Sequence, residues 1–408
     1  MILMGLLSRI LEDEKLAFEN PPLPRLSVGE GRIFELTDYL EEQGYTRVAL
    51  ITGGDSYAAA GYRQQFEEAL RTAGIEAPRF PVSGEPSPLK VDQIKEAVAE
   101  MQVDAVIAVG GGSVIDTAKA TAVMLHHEGS IRDYLEGVGS RRPKPVRHPL
   151  IAVPATAGTG SEATKNAVIS EVGEDGFKKS LRSDAYVPDM AVLDPLVSKG
   201  CPFDVTAASG MDAVTQLLEA YVSKRATPFT DALALNGLQR TRWALPAALH
   251  KGDNLNARGQ MAYAAYLSGV ALAAAGLGVV HGLASPLGAA RNIPHGVVCG
   301  TLLPAATEVV VGKLLDGDVS RGDESRGLAK YARAAVVFTG HDHGSARNNC
   351  RALVDELYRW AEEFSLPPLS DYGFTLEEVR QIATCTSAKA TPVLLDEDDI
   401  ISILERRL

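Results

Sequence analysis

The sequence predicts an α/β domain followed by an all-helical domain, on the basis of two observations. In the first half, short apolar segments rich in β-branched residues alternate with helical patterns, and this alternation indicates a parallel sheet covered by helices on both faces. From about Gly200, long Ala- and Leu-rich segments with helical periodicity follow, without further strand-like alternation. A chain of 408 residues is long enough for two domains. We place the α/β domain at residues 1–198 and the helical domain at residues 199–408.

The apolar runs of the first domain predict four strands, at residues 47–52, 105–109, 150–153 and 190–193. Between the first two of these strands, apolar residues at helical spacing predict a helix over residues 89–101. Helices of the second domain are predicted at residues 212–224, 230–250, 260–277 and 347–363. Residues 81–88 and 316–327 are rich in Pro, Gly or charge and are predicted to be surface loops.

Charge and cysteine content exclude several classes of protein. The 40 basic and 52 acidic side chains give a net charge of −12, which argues against a nucleic-acid partner because such proteins need a clustered basic face. The cysteines are far apart and form no CxxC pair: Cys201, Cys299, Cys350 and Cys385. A disulfide scaffold or a zinc ribbon is therefore not expected, and a cytoplasmic location is predicted.

Two apolar segments are predicted to be neither an export signal nor a membrane span. Residues 1–16 lack the basic start, long apolar stretch and cleavage site of a signal peptide. Residues 261–290 contain no Lys, Arg, Asp or Glu and are long enough to cross a bilayer. However, Ala and Gly dominate this segment, and His281, Ser285 and Pro286 interrupt it, so we predict a buried helix and no membrane partner.

Two loops follow predicted strands and have the composition of a nucleotide-binding site. The strand at residues 105–109 runs into Gly110, Gly111, Gly112 and Ser113, and a helix follows. Glycines let the backbone approach a diphosphate closely, and a helix N-terminus presents free N–H groups to it; a tight turn without a ligand is the alternative. A second loop, PATAGTGSE at residues 154–162, follows another strand. Two such loops at one sheet edge favour a dinucleotide.

Four motifs occur in an order and spacing that resemble one known family. GGGSVIDTAKA, PATAGTGSEAT, GMDAVTQLLEAYVS and HGLASPLGAARNIPHGV are similar to the motifs of the iron-containing (group III) alcohol dehydrogenases. The resemblance implies a Rossmann-like parallel-sheet domain and a helical domain, the dehydroquinate synthase-like architecture. It also implies NAD or NADP in the cleft, a divalent metal ion (Fe²⁺ or Zn²⁺) beneath the nicotinamide, and a homo-oligomer.

The same resemblance assigns residues to the cofactor. Those expected at the diphosphate and nicotinamide are Gly110, Gly111, Gly112, Ser113 and Asp116; those expected along the rest of the dinucleotide are Thr156, Thr159, Asn166 and Lys179. Relatives that prefer NAD often carry an aspartate directly after the first strand. Here Gly53 occupies that place and Asp55 follows two residues later, so the choice between NAD and NADP stays open.

The expected metal site departs from the family pattern at one ligand. The resemblance places ligands at Asp212, His281 and His295, but Gln216 stands where the family has a histidine. A spacing of four puts residues 212 and 216 on one helix face. Gln216 can ligate through its amide oxygen, the other three residues can bind Zn²⁺ with water in the open position, or affinity for the metal is lost. We expect the three-ligand arrangement.

Two further departures concern the expected catalytic region. Several relatives have a histidine where Ser285 stands; a serine can pass a proton through water but cannot act as a base near neutral pH, and a small packing residue is the alternative. Arg291 stands where aromatic residues are frequent. It suits a carboxylate- or phosphate-bearing substrate, or is an exposed loop charge.

The sequence thus predicts a metal-assisted, NAD(P)-dependent oxidoreductase that interconverts an alcohol with an aldehyde or ketone by hydride transfer. Two alternatives stay open. One is a dehydroquinate synthase-like lyase or cyclase that uses NAD transiently; it needs a Lys and Arg cluster, and the segment from His281 to His295 offers Arg291 alone. The other is a metal-free nucleotide-binding protein without dehydrogenase activity.

Overall fold

A computed structural model describes residues 17–171, 176–317 and 322–408. The prediction about residues 1–16 therefore lies outside the described residues, as does the centre of the predicted loop at 316–327. The remainder of the chain forms a parallel sheet with flanking helices, followed by a large helical domain.

The predicted parallel sheet is confirmed and has six strands in the order β1-β8-β5-β4-β2-β3. Its strands are β1 (Arg25–Val28), β2 (Val48–Gly53), β3 (Arg79–Val82), β4 (Ala105–Gly110), β5 (Leu150–Pro154) and β8 (Met190–Leu193). The predicted strands correspond to β2, β4, β5 and β8, and the sequence analysis missed β1 and β3. These two are the outer strands, with partly exposed residues, and β3 contains Pro81, which an edge strand tolerates because it lacks a neighbour on one side.

Apolar side chains on both faces of the central strands explain why the sheet is buried. In β4 all six residues are buried, and alternate residues belong to different apolar clusters. Ile107 and Val109 join the cluster on one face, whereas Val106 and Ala108 join the cluster on the other. A continuous apolar run is what a parallel strand covered by helices on both sides requires.

A two-stranded antiparallel hairpin, which the sequence analysis missed, lies outside the main sheet. It consists of β6 (Asn166–Glu171) and β7 (Phe177–Arg182). Its polar residues hide the strand pattern, because one side of β7 faces a cleft rather than a core. The α/β domain also contains the helices α1 (Leu36–Glu42), α2 (Asp55–Ala58), α3 (Arg63–Thr72), α4 (Pro88–Met101), α5 (Gly112–Met124) and α6 (Pro195–Ser198).

The helical domain is built around α7 (Phe203–Val222), which is buried along most of its length. The other helices are α8 (Pro228–His250), α9 (Leu255–Ala275), α10 (Val279–Ala290), α11 (His295–Asp316), α12 (Gly322–Thr339), α13 (Ala346–Glu363), α14 (Leu376–Thr384) and α15 (Glu397–Glu405). The last strand ends at Leu193, and the first long helix of the helical domain begins at Phe203. The division that we place after residue 198 lies between these two positions.

Two local predictions need correction. Residues 322–327 begin α12 instead of forming a loop, because Gly327 and Leu328 pack into the helical core. The apolar segment at 261–290 is two helices, α9 and α10, joined at a bend of 99°. By length and composition alone, α11 and this bent pair are each long and apolar enough to cross a membrane. In α11, however, 78% of the most apolar stretch is buried inside the protein.

The two domains approach each other closely at a pair of glycines. Gly160, in the second glycine-containing loop, has φ +61°, and Gly269 lies in α9. A Cβ atom on Gly269 would lie 2.3 Å from the carbonyl oxygen of Gly160, and one on Gly160 would lie 2.5 Å from the carbonyl oxygen of Ala265. Only glycine fits at this contact without a backbone shift.

Candidate functional site

A cavity of about 420 Å³ lies between the carboxyl edge of the sheet and the helical domain. The strands β2, β4 and β5 are neighbours and all end at this edge, since Gly110 pairs with Pro154 and Thr52 pairs with Val109. Open α/β sheets bind ligands in such a crevice. The two loops predicted to bind the cofactor therefore lie side by side.

The glycine-rich turn and the second loop are in direct contact. A Cβ atom on Gly112 would lie 2.7 Å from Thr159 Oγ1, and one on Gly111 would lie 3.2 Å from Thr156 Oγ1. Gly112 is the first residue of α5, so unpaired backbone N–H groups point toward the cavity. Gly112 and Thr159 line the cavity, while Gly111 and Thr156 do not.

The remaining cofactor predictions separate into residues that reach the cavity and residues that do not. Ser113, Asp116 and Asn166 line it. Gly53, Asp55, Gly110 and Lys179 are not among its lining residues. Gly53 is the last residue of β2 and Asp55 begins α2, at the same sheet edge.

Lys178, rather than Lys179, reaches the cavity, and this corrects the sequence prediction. Successive residues of a strand point to opposite faces, so adjacent lysines of β7 cannot both face the cleft. Lys178 lines the cavity and forms an ion pair with Glu85 at 3.1 Å, whereas Lys179 is exposed and its ammonium lies near Gly137 on the other side. The alternation of β7 carried this signal: Phe177 and Leu181 are buried and share the face of Lys179.

A buried lysine that the sequence analysis missed holds the second loop in place. Lys119, in α5, is fully buried, and its Nζ lies 2.8–3.2 Å from the oxygens of Ser161, Thr164 and Asn166. Burial lowers the pKa of Lys119 to about 8. Nearby, Asp116 accepts hydrogen bonds from the Ser161 hydroxyl and from the Val168 N–H. The available signal was a lysine within an otherwise small and apolar helical segment.

Three of the four predicted metal ligands converge beneath the cavity. Asp212 Oδ1 lies 3.4 Å from His281 Nε2 and 3.7 Å from His295 Nε2. Asp212 is 1% exposed, and its Oδ1 has no hydrogen-bond partner among the described residues. A buried carboxylate oxygen without a partner is costly unless a cation neutralises it. The carboxylate and the two imidazoles therefore fit a divalent metal ion such as Zn²⁺ or Fe²⁺.

The side-chain oxygen of the fourth predicted ligand is hydrogen-bonded to a serine. A cysteine, instead, lies beside the two histidines. Gln216 lines the cavity, but its Oε1 accepts a hydrogen bond of 2.7 Å from the Ser268 hydroxyl. Cys299 Sγ lies 3.6 Å from His281 Nε2 and 3.7 Å from His295 Nε2. The ligand atoms of Asp212, both histidines and Cys299 all lie within 4.8 Å of one another. The sequence analysis excluded cysteine pairs and did not consider a single cysteine.

A buried glutamate orients the first metal histidine. Glu219 lies on α7 with Asp212, and its Oε2 is 2.7 Å from His281 Nδ1. A carboxylate that accepts the Nδ1–H bond leaves the Nε2 lone pair free to face Asp212. The sequence analysis missed Glu219, whose spacing of seven from Asp212 indicated the same helix face.

The two histidines respond differently to their surroundings. Burial lowers the pKa of His295 to about 4, so this imidazole is neutral and can act as a ligand at pH 7. Burial also acts on His281, but Cys299, Asp212 and Glu219 together outweigh it and raise the pKa of His281 well above its usual value. Burial raises the pKa of Cys299 to about 12. The cluster without its ion therefore attracts positive charge.

The two predicted catalytic residues lie in different places. Ser285 lines the cavity in the same region as His281. Arg291 does not line it; its guanidinium forms an ion pair with Glu378 and lies 5.8 Å from the Phe374 ring. An arginine already paired with a carboxylate is a poor anchor for an anionic substrate. The position that we predicted for substrate recognition is thus not at the cavity.

Basic side chains from distant parts of the chain line the cavity instead. These are Lys165, Lys178, Arg182, Arg225 and Lys389, opposed by Glu85 and Asp116. Lys389 Nζ donates to the His281 carbonyl at 2.7 Å, and Arg225 Nε donates to the Ala275 carbonyl at 3.2 Å. Within the described ranges neither of these two forms an ion pair with a carboxylate. The other three bases are paired, Lys165 with Asp184, Lys178 with Glu85 and Arg182 with Glu136. Of the five, Arg225 and Lys389 are therefore the two best placed to meet an acidic ligand.

Comparison with known proteins gives consistent matches over most of the chain. Residues 23–195 match the family model for iron-containing alcohol dehydrogenase, and residues 206–408 match the model for the C-terminal region of Fe-containing alcohol dehydrogenases. The chain is 31% identical to the NAD-dependent methanol dehydrogenase of Bacillus methanolicus over 403 residues, which span 94% of this chain and 98% of that protein.

Solved structures agree with these matches. A 1,3-propanediol oxidoreductase superimposes with a TM-score of 0.84 at 29% identity, covering 96% of this chain and 100% of that one. An alcohol dehydrogenase from Oenococcus oeni superimposes with a TM-score of 0.85 at 28% identity, with the same coverage.

Proposed function

The chain belongs to the iron-containing alcohol dehydrogenase family, and from this premise we propose how its cleft divides the reaction among named residues. The protein is an NAD(P)-dependent oxidoreductase that interconverts alcohols and aldehydes and uses a divalent metal ion. The cofactor lies along Gly112, Ser113 and Thr159. The metal ion is held by Asp212 together with the two histidines that face it.

When bound, the metal ion supplies Lewis-acid polarisation of the alcohol or carbonyl oxygen, and the nicotinamide accepts or donates hydride. The residues of the chain supply position. Asp212, His281 and His295 would hold the metal ion, and Glu219 holds the His281 ring in the tautomer that this requires. The end of α9 contributes Leu272 and Ala273 to the apolar part of the cavity wall.

Ser285 is the residue that we propose for proton transfer at the cavity. It is exposed to the cavity in the same region as His281. A hydroxyl group can pass a proton to water without changing its own charge, which suits a site where the family histidine is absent. Ser285 therefore acts as a relay and solvent as the final base.

One observation carries this proposal. Asp212, His281 and His295 converge beneath a cleft, and the glycine-rich turn forms the other wall of that cleft. The test is the absorbance of the reduced cofactor during incubation with alcohols and aldehydes, with NAD and NADP, and with added Zn²⁺ or Fe²⁺. We expect a net absorbance change that requires metal. Product formation without a net change would indicate the lyase or cyclase alternative, and no turnover under any condition would indicate a binding protein.

We further propose that the preferred substrates carry a carboxylate or phosphate group. The support is Lys389, which reaches the cavity beside His281 without a carboxylate partner among the described residues. Opposite charge near the reacting group favours an anionic substrate over a neutral one of the same size.

Substitution of Lys389 tests this substrate class. Lys389→Met is expected to raise KM for acidic aldehydes by about tenfold, since a charged hydrogen bond contributes about 1.5–3 kcal/mol, and to leave KM for neutral aldehydes within about twofold. Arg291→Ala is the matched control and is expected to affect neither class, because Arg291 is paired with Glu378 away from the cavity. Equal effects of Lys389→Met on both classes would disprove the anionic preference.

The neighbouring lysines of β7 provide a second test, of the cofactor position. Lys178→Ala is expected to raise the Kd of the cofactor about tenfold, because Lys178 faces the cavity beside the residues assigned to it. Lys179→Ala, one residue further along the strand, is expected to leave this Kd unchanged. Fluorescence titration with the reduced cofactor measures both, and a larger effect at Lys179 would contradict the assignment.

A further inference from the structure

The structure contains a ligand set that differs from the one the family pattern implies. The fourth family ligand is absent, and its replacement, Gln216, keeps its amide oxygen in a hydrogen bond with Ser268. To coordinate a metal, Gln216 would have only the second lone pair of this oxygen to offer, with its side chain held by Ser268 in a position that is 2% exposed. A neutral amide oxygen gives little in return, because it is a weaker ligand than imidazole for ions of the Zn²⁺ type.

Cys299 meets the geometric requirement that Gln216 does not. It lies four residues after His295 on α11, so the two side chains share one helix face. Its sulfur is at nearly equal distances from the Nε2 atoms of both histidines, 3.6 and 3.7 Å. The pair of ligands at spacing four, which α7 lacks because of Gln216, is thus present on α11.

The charge of the cluster also suits a sulfur ligand. Asp212 and Cys299 are buried side by side, 1% and 0% exposed. Two anionic ligands in such a place are stable only with a bound cation, and metal coordination deprotonates a thiol. A thiolate is a softer donor than imidazole and favours zinc over the harder divalent ions.

We propose that Cys299 is the fourth protein ligand of the metal ion and that the site, with one carboxylate, two imidazoles and one thiolate, selects Zn²⁺. This inference deepens the metal site of the proposed function and rests on it. When bound, the zinc ion would still supply Lewis-acid polarisation of the substrate oxygen, because zinc can take more than four ligands.

Cobalt substitution tests the ligand directly. The metal-free protein, prepared with a chelator, is titrated with Co²⁺ without oxygen. A thiolate ligand gives an intense near-ultraviolet charge-transfer band that carboxylate and imidazole ligands do not give. We expect this band to saturate at one equivalent in the wild-type protein and in Cys350→Ser, which removes a buried thiol of α13 outside the cluster. We expect Cys299→Ser to bind Co²⁺ without the band.

Two measurements on zinc complete the test, and the first of them needs only the wild-type protein. X-ray absorption of the zinc-loaded wild-type protein is expected to show one sulfur at about 2.3 Å. Competition with a chelator is expected to show zinc affinity at least about tenfold lower in Cys299→Ser, since even loss of a partner behind a ligand costs that much.

The outcomes separate this inference from the proposed function. One equivalent of bound metal and metal-dependent turnover, with no sulfur signal in the wild-type protein, would overturn the role of Cys299 and leave the dehydrogenase assignment intact. A sulfur signal that persists in Cys299→Ser would also overturn it. Failure of the wild-type protein to bind either metal would overturn both.

Discussion

Replacement of Asp212 by alanine is expected to remove the metal ion and to lower kcat/KM by about 10³-fold. Asp212 Oδ1 lies 3.4 Å and 3.7 Å from the Nε2 atoms of His281 and His295, and it belongs to the buried carboxylate that the cation neutralises. Without it the two imidazoles and the thiol must hold the ion, and the reacting oxygen loses its fixed position. Loss of a single preorganised electrostatic partner costs about 10²–10³-fold, and loss of the ion affects every such contact.

Two measurements on the purified Asp212→Ala variant check this effect: its metal content, and its kcat/KM with saturating cofactor. Asp342→Ala is the control, because Asp342 lies between two histidines in an exposed loop and resembles a metal site in sequence alone. It is expected to keep metal content and turnover at wild-type values. If Asp212→Ala retained its metal and most of its activity, the cluster would not be the catalytic centre.

Replacement of Gly269 by alanine is expected to lower the stability by about 3 kcal/mol and to weaken cofactor binding. The new Cβ atom would lie 2.3 Å from the Gly160 carbonyl oxygen and 2.9 Å from the Gly160 Cα, so the backbone of one domain must move away from the other. Insertion of atoms into a packed contact costs about 1–3 kcal/mol, and backbone neighbours yield less than side chains do. Gly160 lies next to Thr159, which lines the cavity, so the same movement displaces a residue assigned to the cofactor.

Thermal unfolding and cofactor titration of the variant give the two readouts. Gly312→Ala is a matched control, since Gly312 is also a glycine within a helix but a Cβ atom there meets nothing within 4 Å. Alanine favours a helix over glycine by about 1 kcal/mol, so this control is expected to be at least as stable as the wild-type protein. Equal unfolding temperatures for the two variants would show that the domains can separate at Gly160 without cost.

The pattern of apolar residues was sufficient to predict the central part of the fold. β4 could be recognised because all its residues are buried, and this continuous apolar run differs from its surroundings. β1 and β3 could not, because an edge strand is half exposed and its composition overlaps that of a loop. The hairpin of β6 and β7 was missed for a related reason: one face of β7 lines a cleft, so Lys178 and Arg182 occupy places where a core strand has apolar residues.

The candidate site shows a similar division. Asp212, His281 and His295 belong to motifs, so the sequence alone indicated them. Cys299 and Lys389 became candidates only when the fold brought them to His281 from positions 18 and 108 residues away. The choice between Lys178 and Lys179 depended on recognising β7 as a strand, since only then does the alternation of Phe177 and Leu181 place the two lysines on opposite faces. Contacts between distant segments are set by tertiary packing, which local patterns do not encode.

The buried ammonium group of Lys119 has a consequence for the thermodynamics of ligand association. It gathers oxygens from Ser161, Thr164 and Asn166, as a bound ion would, but it is covalently attached and cannot dissociate. This segment is therefore ordered before any dinucleotide arrives. Fixing a flexible residue costs about 1–2 kcal/mol of conformational entropy, and here folding has already met that cost. Cofactor binding at this loop should accordingly resemble the docking of two rigid surfaces, with little entropic penalty from the protein.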